Sequence, residues 1–393
     1  MYIHREIEAG LLRQARLFPV LTVLGPRQSG KTTVVRKLFA EYRYVNLELP
    51  DLRQLAQEDP RSFLQQNPPP VIFDEVQRVP QLLSYLQAAV DQDTTIKGSY
   101  VLTGSHQAEL HSAIAQSLAG RTAIATLLPL SLTEIATTGA SLDRDDCLFR
   151  GCMPQLYQQD IPPVDVYRNY FRTYVERDMR QIANIRNLSS FETFIRLLAG
   201  RVGCVLNMSE IANATGVSVP TIKEWLSILE ASYIIFRLPP YFHNYGKRLI
   251  KSPKLYFIEP GLAAWLLGIR SPDQVTSGPF LGGLFENLVV MEALKTRHNQ
   301  LEDPNLFFYR DNNGLEVDLL IDSLQTLIPV EIKAARTFNH DFTRNIRRVQ
   351  KLDSRISSGA VAYAGEAESS IHGTRVLNFV RTQNLLIPPN PAL

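Results

Sequence analysis

The chain has 393 residues, 45% of them hydrophobic, and a formal net charge of +2. This length predicts two or three domains. The small net charge says little about whether the protein binds nucleic acid. The 3 scattered cysteines are too few for a disulfide framework or a zinc site. The apolar stretches fall short of the ~20 residues that cross a bilayer, and residues 1–6 lack the apolar core of a signal peptide. We therefore expect a cytoplasmic protein with no membrane partner.

A complete phosphate-binding motif, G-x-x-x-x-G-K-[ST], lies near the N-terminus. The apolar run 20–24 before it favours a strand and residues 33–39 after it favour a helix, an arrangement that aims backbone N–H groups and the helix dipole at one anion. We expect Lys31 to reach the β- and γ-phosphates of ATP, and the Thr32 hydroxyl to hold Mg²⁺. The predicted nucleotide-binding residues are Gly25, Pro26, Arg27, Gln28, Ser29, Gly30, Lys31, Thr32 and Thr33.

A second buried strand is predicted at residues 71–73, and two acids, Asp74 and Glu75, follow at its carboxyl end. In a nucleotide site Asp74 is expected to bind Mg²⁺, and Glu75 to act as the general base for the attacking water. Taken alone, the same run fits an exposed acidic turn equally well. The phosphate-binding loop upstream favours the metal-site interpretation, because both motifs then belong to one parallel sheet.

A third strand, expected within residues 99–107, should end beside the phosphates. Thr103, Ser105 and Gln107 are candidates for sensing the γ-phosphate or orienting water, or they only cap the following helix. Arg121 is predicted to be catalytic, as a sensor in its own chain or as an arginine finger for a neighbouring subunit. A structural ion pair would explain Arg121 equally well, and the sequence leaves both alternatives open.

The middle of the chain is predicted to be helical from 166 to 200 and then to form a helix-turn-helix at 207–226. Ser209 and Ser218 are expected to cap its two helices, and Gly216 to supply the turn. The buried stripe of the second helix is predicted to consist of Ile222, Trp225, Leu226 and Leu229.

Two strands, 233–239 and 254–258, are expected to follow, with a basic wing between them. A helix-turn-helix with a positive wing can place its second helix in the major groove of double-stranded DNA. The same module can instead pack on the ATPase domain as a lid, and the sequence leaves this alternative open. The basic residues assigned to the wing are Lys247, Arg248, Lys251 and Lys254.

The C-terminal third carries a nuclease-like set of residues. Asp318 is predicted on one strand, and Glu331 and Lys333 share a face of the next strand, because side chains alternate with a period of two. The carboxylates of Asp318 and Glu331 can bind Mg²⁺, which activates water. Lys333 can orient the nucleophile, and Glu286 on a preceding helix can complete the metal shell. A salt-bridged sheet surface is the alternative, and DNA cleavage stays open.

Four segments, 25–33, 73–80, 102–105 and 117–131, resemble the AAA+-type prokaryotic ATPases that carry a C-terminal domain of unknown function with a nuclease-like, PD-(D/E)xK superfamily fold. The resemblance runs nearly end to end. It implies an α/β protein with a P-loop AAA+-type ATPase domain, then a winged helix-turn-helix, then an α/β restriction-endonuclease-like domain. The family more often has an aspartate where Glu259 stands, and this difference leaves a capping or metal role at that position open.

These observations predict three domains, at 1–160, 161–272 and 273–393. The expected function is a Mg²⁺-dependent ATPase that couples ATP hydrolysis to DNA engagement by the winged helix and the nuclease-like domain. The alternative is a non-enzymatic or very slow nucleotide-controlled switch that binds a partner protein through its C-terminal domain. ATP and Mg²⁺ are the expected cofactors. Association of the chain into a homo-oligomer is a further alternative that the sequence leaves open.

Overall fold

The computed structural model describes residues 2–93, 95–105, 108–176, 188–241, 252–323 and 325–387. The chain divides into two compact units. The first unit comprises Met1–Leu130, Ala231–Ile234 and His298–Glu302. The second unit comprises Ser131–Glu230, Ile235–Arg297 and Asp303–Leu393. In the described ranges, no helix combines the length and the apolar character needed to cross a bilayer.

The first unit is built on a five-stranded parallel sheet with the strand order β2-β3-β4-β1-β5. Its strands are β1 Val20–Gly25, β2 Arg43–Asn46, β3 Val71–Asp74, β4 Tyr100–Ser105 and β5 Thr122–Thr126. Its described helices are Glu8–Leu17, Lys31–Leu38, Pro50–Glu58, Pro60–Gln66, Leu82–Gln92 and Ala108–Ser117, with a 3₁₀ turn at Val76–Arg78.

The central strands of this sheet are buried on both faces. Leu24 of β1 packs in one hydrophobic cluster with Phe73 and Leu102, whereas the neighbouring residues Leu21 and Val23 pack in the other cluster. This is the alternation expected of a parallel sheet covered on both faces. The parallel register brings the carboxyl ends of β1, β3 and β4 to one edge, where α/β folds bind ligands.

The second unit contains a two-stranded antiparallel sheet, β6 Ile235–Leu238 with β7 Lys254–Phe257, and a six-stranded mixed sheet with the order β12-β13-β11-β10-β9-β8. The strands of the larger sheet are β8 Leu306–Arg310, β9 Glu316–Asp322, β10 Leu327–Lys333, β11 Ala360–Tyr363, β12 Ser369–Ile371 and β13 Thr374–Asn378. The described α-helices that begin in this unit are Leu132–Ala136, Arg144–Arg150, Gln155–Gln158, Pro163–Tyr170, Leu188–Ala199, Met208–Thr215, Val219–Ala231, Pro260–Leu266, Pro272–Ser277, Leu281–Asn299 and Arg344–Val349.

The helix pair of the middle region differs from the prediction at its first cap. Asn207, and not Ser209, caps helix Met208–Thr215, because the Asn207 side chain accepts a hydrogen bond from the Glu210 backbone N–H. Gly216 ends that helix in the left-handed region at φ 70°, and the Ser218 hydroxyl accepts from the Thr221 N–H at 3.3 Å. The predicted stripe of helix Val219–Ala231 is confirmed, since Ile222, Trp225, Leu226 and Leu229 are all buried.

The basic wing is corrected at Lys254. This residue opens β7, and its side chain is buried with 1% exposure, so it does not belong to an exposed basic surface. Lys247, Arg248 and Lys251 lie outside the described residues. The charge cluster that defines the wing in the sequence therefore includes one buried lysine.

Candidate functional site

The phosphate-binding loop runs from the end of β1 to helix Lys31–Leu38. At its start Gly25 has φ 153°, and a Cβ there would lie 2.1 Å from the Leu127 carbonyl oxygen, so only glycine fits. At its end Gly30 adopts the left-handed conformation with φ 93° directly before the helix. Between them the Ser29 hydroxyl donates to the Pro26 carbonyl at 2.9 Å and closes the loop on itself.

Lys31, the first residue of that helix, is buried in the loop. Its ammonium donates to the carbonyls of Gly25 at 3.1 Å and Pro26 at 2.8 Å. Burial lowers the pKa of Lys31 to about 8, although the nearby carboxylates of Glu75 and Asp74 favour the charged form. A bound phosphate would add negative charge beside this ammonium and favour the protonated form further.

The Asp74 carboxylate, at the end of β3, accepts hydrogen bonds from three hydroxyl groups. Thr32 donates to both of its carboxylate oxygens, at 3.0 and 3.1 Å, and Tyr44 of β2 donates at 2.6 Å. Thr103 of β4 donates to the same carboxylate. The structure thus brings together Thr32 and Asp74, the two predicted Mg²⁺ ligands, and their oxygen donor set suits Mg²⁺.

Glu75 follows Asp74 in the left-handed conformation at φ 58°. Its carboxylate accepts from the Gln77 side-chain amide and from the Ser105 hydroxyl at 3.4 Å. Gln77 also donates to Ser105 at 2.9 Å, so the three side chains form one network. Thr103 and Ser105 of β4 are therefore both at the site, whereas Gln107 lies outside the described residues.

The sequence analysis missed three residues at this site: Tyr44, whose hydroxyl donates to Asp74, Gln77 and Arg5. Gln77 lies only two residues beyond Glu75, and no spacing rule singles it out. Arg5 is distant in sequence, yet its buried guanidinium donates to the Ser29 carbonyl at 2.8 Å and to the Leu128 carbonyl at 2.7 Å, joining the loop to the segment after β5. A lone arginine in an N-terminal segment gives no signal of such a contact.

Arg121 lies directly before β5, and its side-chain contacts are with other residues. Its guanidinium makes a two-point ion pair with Asp91, with Nε–Oδ1 at 2.6 Å and Nη2–Oδ2 at 2.9 Å. The structure therefore shows the ion pair that the sequence left open as the alternative. A catalytic role for Arg121 stays a prediction.

The nuclease-like residues lie together in the second unit. Val330 of β10 pairs with Leu319 of β9, which places the neighbouring residues Glu331 and Asp318 side by side. Lys333 joins them, with its ammonium 2.9 Å from Glu331 Oε1 and 3.4 Å from Asp318 Oδ2.

Glu286, on helix Leu281–Asn299, contacts this group through Lys254, which the sequence analysis assigned to the basic wing. Its Oε1 lies 2.8 Å from the ammonium of Lys254. The same ammonium lies 2.6 Å from Glu316 Oε1 and 3.9 Å from Asp318 Oδ1. We call Lys254, Glu286, Glu316, Asp318, Glu331 and Lys333 the carboxylate–lysine cluster.

Burial and the neighbouring charges together shift the pKa values in this cluster. Burial raises the pKa of Glu286 to about 7, with a further increase from Asp318 and an opposing effect of Lys254. It raises the pKa of Glu331 to about 7 as well, again with Asp318 adding and Lys333 opposing. For Lys254 burial favours the neutral amine, but Glu286, Asp318 and Glu316 outweigh it and raise the pKa. Within the described part of the chain, no group of three or more His, Cys, Asp or Glu side chains has a metal-binding arrangement.

Position 259, left open by the sequence, has a structural role. The Glu259 side chain caps helix Pro260–Leu266 by accepting from the Gly261 N–H at 3.2 Å. The same oxygen accepts from the Cys152 N–H at 2.7 Å and from the Tyr167 hydroxyl at 2.8 Å. A glutamate therefore caps this helix in the place where the resembled family more often has an aspartate.

Three segments of the chain match known domain families. Residues 17–136 match the AAA domain, residues 141–273 match a domain of unknown function, DUF8612, and residues 281–382 match another, DUF4143. The first match agrees with the phosphate-binding loop and the parallel sheet, and the N-terminal part is an AAA-type, P-loop ATPase-like domain. The other two descriptions assign no activity.

Relatives extend over almost the whole chain. The uncharacterized proteins Rv2008c of Mycobacterium tuberculosis and Mb2031c of Mycobacterium bovis are each 29% identical over 383 residues, covering 96% of this chain and 83% of theirs. An uncharacterized protein of Haemophilus influenzae is 28% identical over 273 residues, covering 65% of this chain and 64% of its own. Among solved structures, a Walker-type ATPase of Pyrococcus abyssi overlaps 67% of this chain and 96% of its own at 16% identity, with a TM-score of 0.47.

Proposed function

We propose that this protein is a Mg²⁺-dependent ATPase whose nucleotide site lies in the domain 1–160, followed by domains at 161–272 and 273–393. The observation that carries the proposal is the contact between the Thr32 hydroxyl and the Asp74 carboxylate at 3.0 Å, beside the buried ammonium of Lys31. A phosphate loop, a hydroxyl and a carboxylate at one sheet edge are the parts that ATP·Mg²⁺ binding requires.

Each residue then has a defined part in hydrolysis. Lys31 and the backbone N–H groups of residues 25 and 27–33 would bind the phosphates, and the oxygens of Thr32 and Asp74 would hold Mg²⁺. When bound, Mg²⁺ neutralises charge that develops on the phosphate oxygens. Glu75 accepts the proton of the water whose oxygen attacks the γ-phosphorus, while the bond from that phosphorus to the bridging oxygen breaks and ADP leaves. Gln77 and Ser105 position the Glu75 carboxylate.

ATP turnover of three variants tests the proposal. Glu75→Gln keeps the shape of the side chain but removes the base, so turnover should fall by about 10²–10⁴-fold while nucleotide binding persists. Lys31→Ala should lose both turnover and binding, because the ammonium that meets the phosphates is gone. Glu48→Gln, on an exposed glutamate, is the matched control. Full turnover in both Glu75→Gln and Lys31→Ala would contradict the proposal.

DNA engagement is a second proposal, favoured by the helix pair around Gly216. The first turns of helix Val219–Ala231 leave Ser218, Pro220, Lys223 and Glu224 exposed, as an inserted helix requires. Titration of duplex DNA at two salt concentrations tests it, since phosphate contacts weaken steeply as salt rises. Absence of binding at low salt, together with ATP binding but very slow turnover, would favour the alternative of a nucleotide-controlled switch acting on a partner protein.

A further inference from the structure

Three carboxylates from two different elements converge on one buried ammonium. Glu286 comes from a helix, and Glu316 and Asp318 come from β9, while Lys254 itself belongs to the two-stranded sheet. The Lys254 ammonium is hydrogen-bonded or ion-paired to Glu286 at 2.8 Å and to Glu316 at 2.6 Å, and it lies 5.5 Å from the centre of the Phe308 ring. These partners surround a compact cation with acceptors and an aromatic face.

The carboxylate oxygens nearest the Lys254 ammonium include the oxygens that would bind the metal ion in a nuclease with this arrangement of residues. Asp318 and Glu331 were expected to bind Mg²⁺, with Glu286 completing the metal shell, and of these carboxylates Glu286 and Asp318 face Lys254. Mg²⁺ requires oxygen ligands at about 2.0–2.1 Å in an octahedral shell. A divalent ion held by Glu286 Oε1 would lie within a few ångströms of the ammonium and repel it strongly in a buried setting.

Several of these oxygens have further partners, whereas Glu331 Oε2 is buried without a hydrogen-bond partner among the described residues. Asp318 Oδ2 accepts from the Ile332 N–H at 2.8 Å, and Tyr256 donates at 2.6 Å to Glu286 Oε1, the oxygen that also faces Lys254. Arg310 lies 3.3 Å from Glu316 Oε2. Together with Lys254 and Lys333, Arg310 supplies positive charge to the carboxylates from inside the chain.

We propose that Lys254 is the resident cation of the carboxylate–lysine cluster. Its ammonium takes the place that a divalent metal would need beside Glu286 and Asp318, and it fastens β7 to helix Leu281–Asn299 and to β9. The position beside Glu286 and Asp318 consequently takes no Mg²⁺ while Lys254 is in place, and the four residues predicted as a nuclease site act as an ion-pair core. This inference is independent of the ATPase proposal, because it involves none of the residues of the phosphate-binding loop.

Uptake of Mn²⁺, a carboxylate-binding substitute for Mg²⁺, tests the proposal on the full chain without nucleotide. The parent carries Asp74→Asn, which removes the metal ligand of the nucleotide site. We expect no Mn²⁺ uptake by this parent, as measured by electron paramagnetic resonance of the free ion. Adding Lys254→Ala should produce stoichiometric uptake, and adding Asp318→Asn as well should abolish it. Lys223→Ala, on an exposed lysine, should behave as the parent.

Two results would overturn the proposal. One is Mn²⁺ uptake by the parent that disappears with Asp318→Asn, since the metal would then bind beside Lys254. The other is a folded Lys254→Ala variant that takes up no Mn²⁺, since the ammonium would then not be holding a metal position. If Lys254→Ala does not fold, the comparison of the parent with its Asp318→Asn variant still decides the question.

Discussion

The nucleotide site and the carboxylate–lysine cluster both contain aspartate and glutamate side chains. The partners of these carboxylates differ between the two sites. At the nucleotide site, Asp74 accepts from the hydroxyls of Thr32, Tyr44 and Thr103, which carry no charge. At the carboxylate–lysine cluster, Glu286 and Glu316 face the ammonium of Lys254. Hydroxyl partners hold a carboxylate in position without neutralising it, whereas a lysine supplies the cation itself. We therefore expect the hydrogen-bond partner of the carboxylate, rather than the carboxylate itself, to decide whether such a site can take a metal.

The largest effect expected from this comparison is on stability. Lys254→Met removes the ammonium and leaves buried carboxylates unpaired, which should lower the free energy of unfolding by about 3–5 kcal/mol. Urea denaturation measures this free energy of unfolding. The control is Lys223→Met, at an exposed position, whose stability is expected within about 0.5 kcal/mol of wild type. Combining Lys254→Met with Glu286→Gln should recover part of the loss. A Lys254→Met protein as stable as the control would show that the cluster is not held by this lysine.

A smaller effect should appear in the pH dependence of stability. Because the pKa values of Glu286 and Glu331 are raised from 4.5 to about 7, the folded protein keeps protons that the unfolded chain releases. The cluster's contribution to stability should therefore be greatest below about pH 4.5 and decline as the pH rises towards 7. The groups that face these two carboxylates are Lys254, Tyr256, Asp318, Lys333 and Asn345.

Urea midpoints at pH 5.5 and 7.5, which lie about 1.5 pH units below and about 0.5 pH units above the raised pKa of about 7, give the measurement. Wild type should lose more stability across this interval than the variant with Glu286→Gln and Glu331→Gln, which has no proton to release there. Equal losses in the two proteins would mean that the raised pKa values do not belong to these glutamates.

The smallest effect is expected at Arg121. If this residue only pairs with Asp91, then Arg121→Gln and Asp91→Asn should each leave ATP turnover unchanged and shift the thermal midpoint equally little, because exposed ion pairs contribute little. A fall in turnover with Arg121→Gln alone would instead support the sensor or arginine-finger role. Asp91→Asn is the matched control, since it breaks the same pair from the other side.

Local sequence patterns predicted which residues the structure brings together at this sheet edge, because most of these residues are contiguous. Gly25, Gly30 and Lys31 belong to one loop, and the position of Asp74 follows from a strand end at the same sheet edge. The contributions of Arg5 and Tyr44 could not be predicted, because each reaches the site from another element and carries no spacing signal.

The same limit explains the error at Lys254. Counting charges along the chain placed it with its basic neighbours in a wing, but every residue of β7 is buried, and only the fold shows which carboxylates lie opposite. Asp318, Glu331 and Lys333 were expected together and are together, since strand alternation and pairing fix them locally. Whether such a set binds metal depends on a residue more than sixty positions before Asp318 (318 − 254), for which the sequence offers no rule.

Calorimetric titration of a non-hydrolysable ATP analogue, with and without Mg²⁺, into wild type and Asp74→Asn tests the central claim most directly. We expect wild type to bind the analogue more tightly with Mg²⁺, and Asp74→Asn to lose that preference, because the hydroxyl of Thr32 alone cannot hold the ion. Absence of nucleotide binding by wild type, or an identical Mg²⁺ preference in both proteins, would contradict a metal–nucleotide site between Lys31 and Asp74.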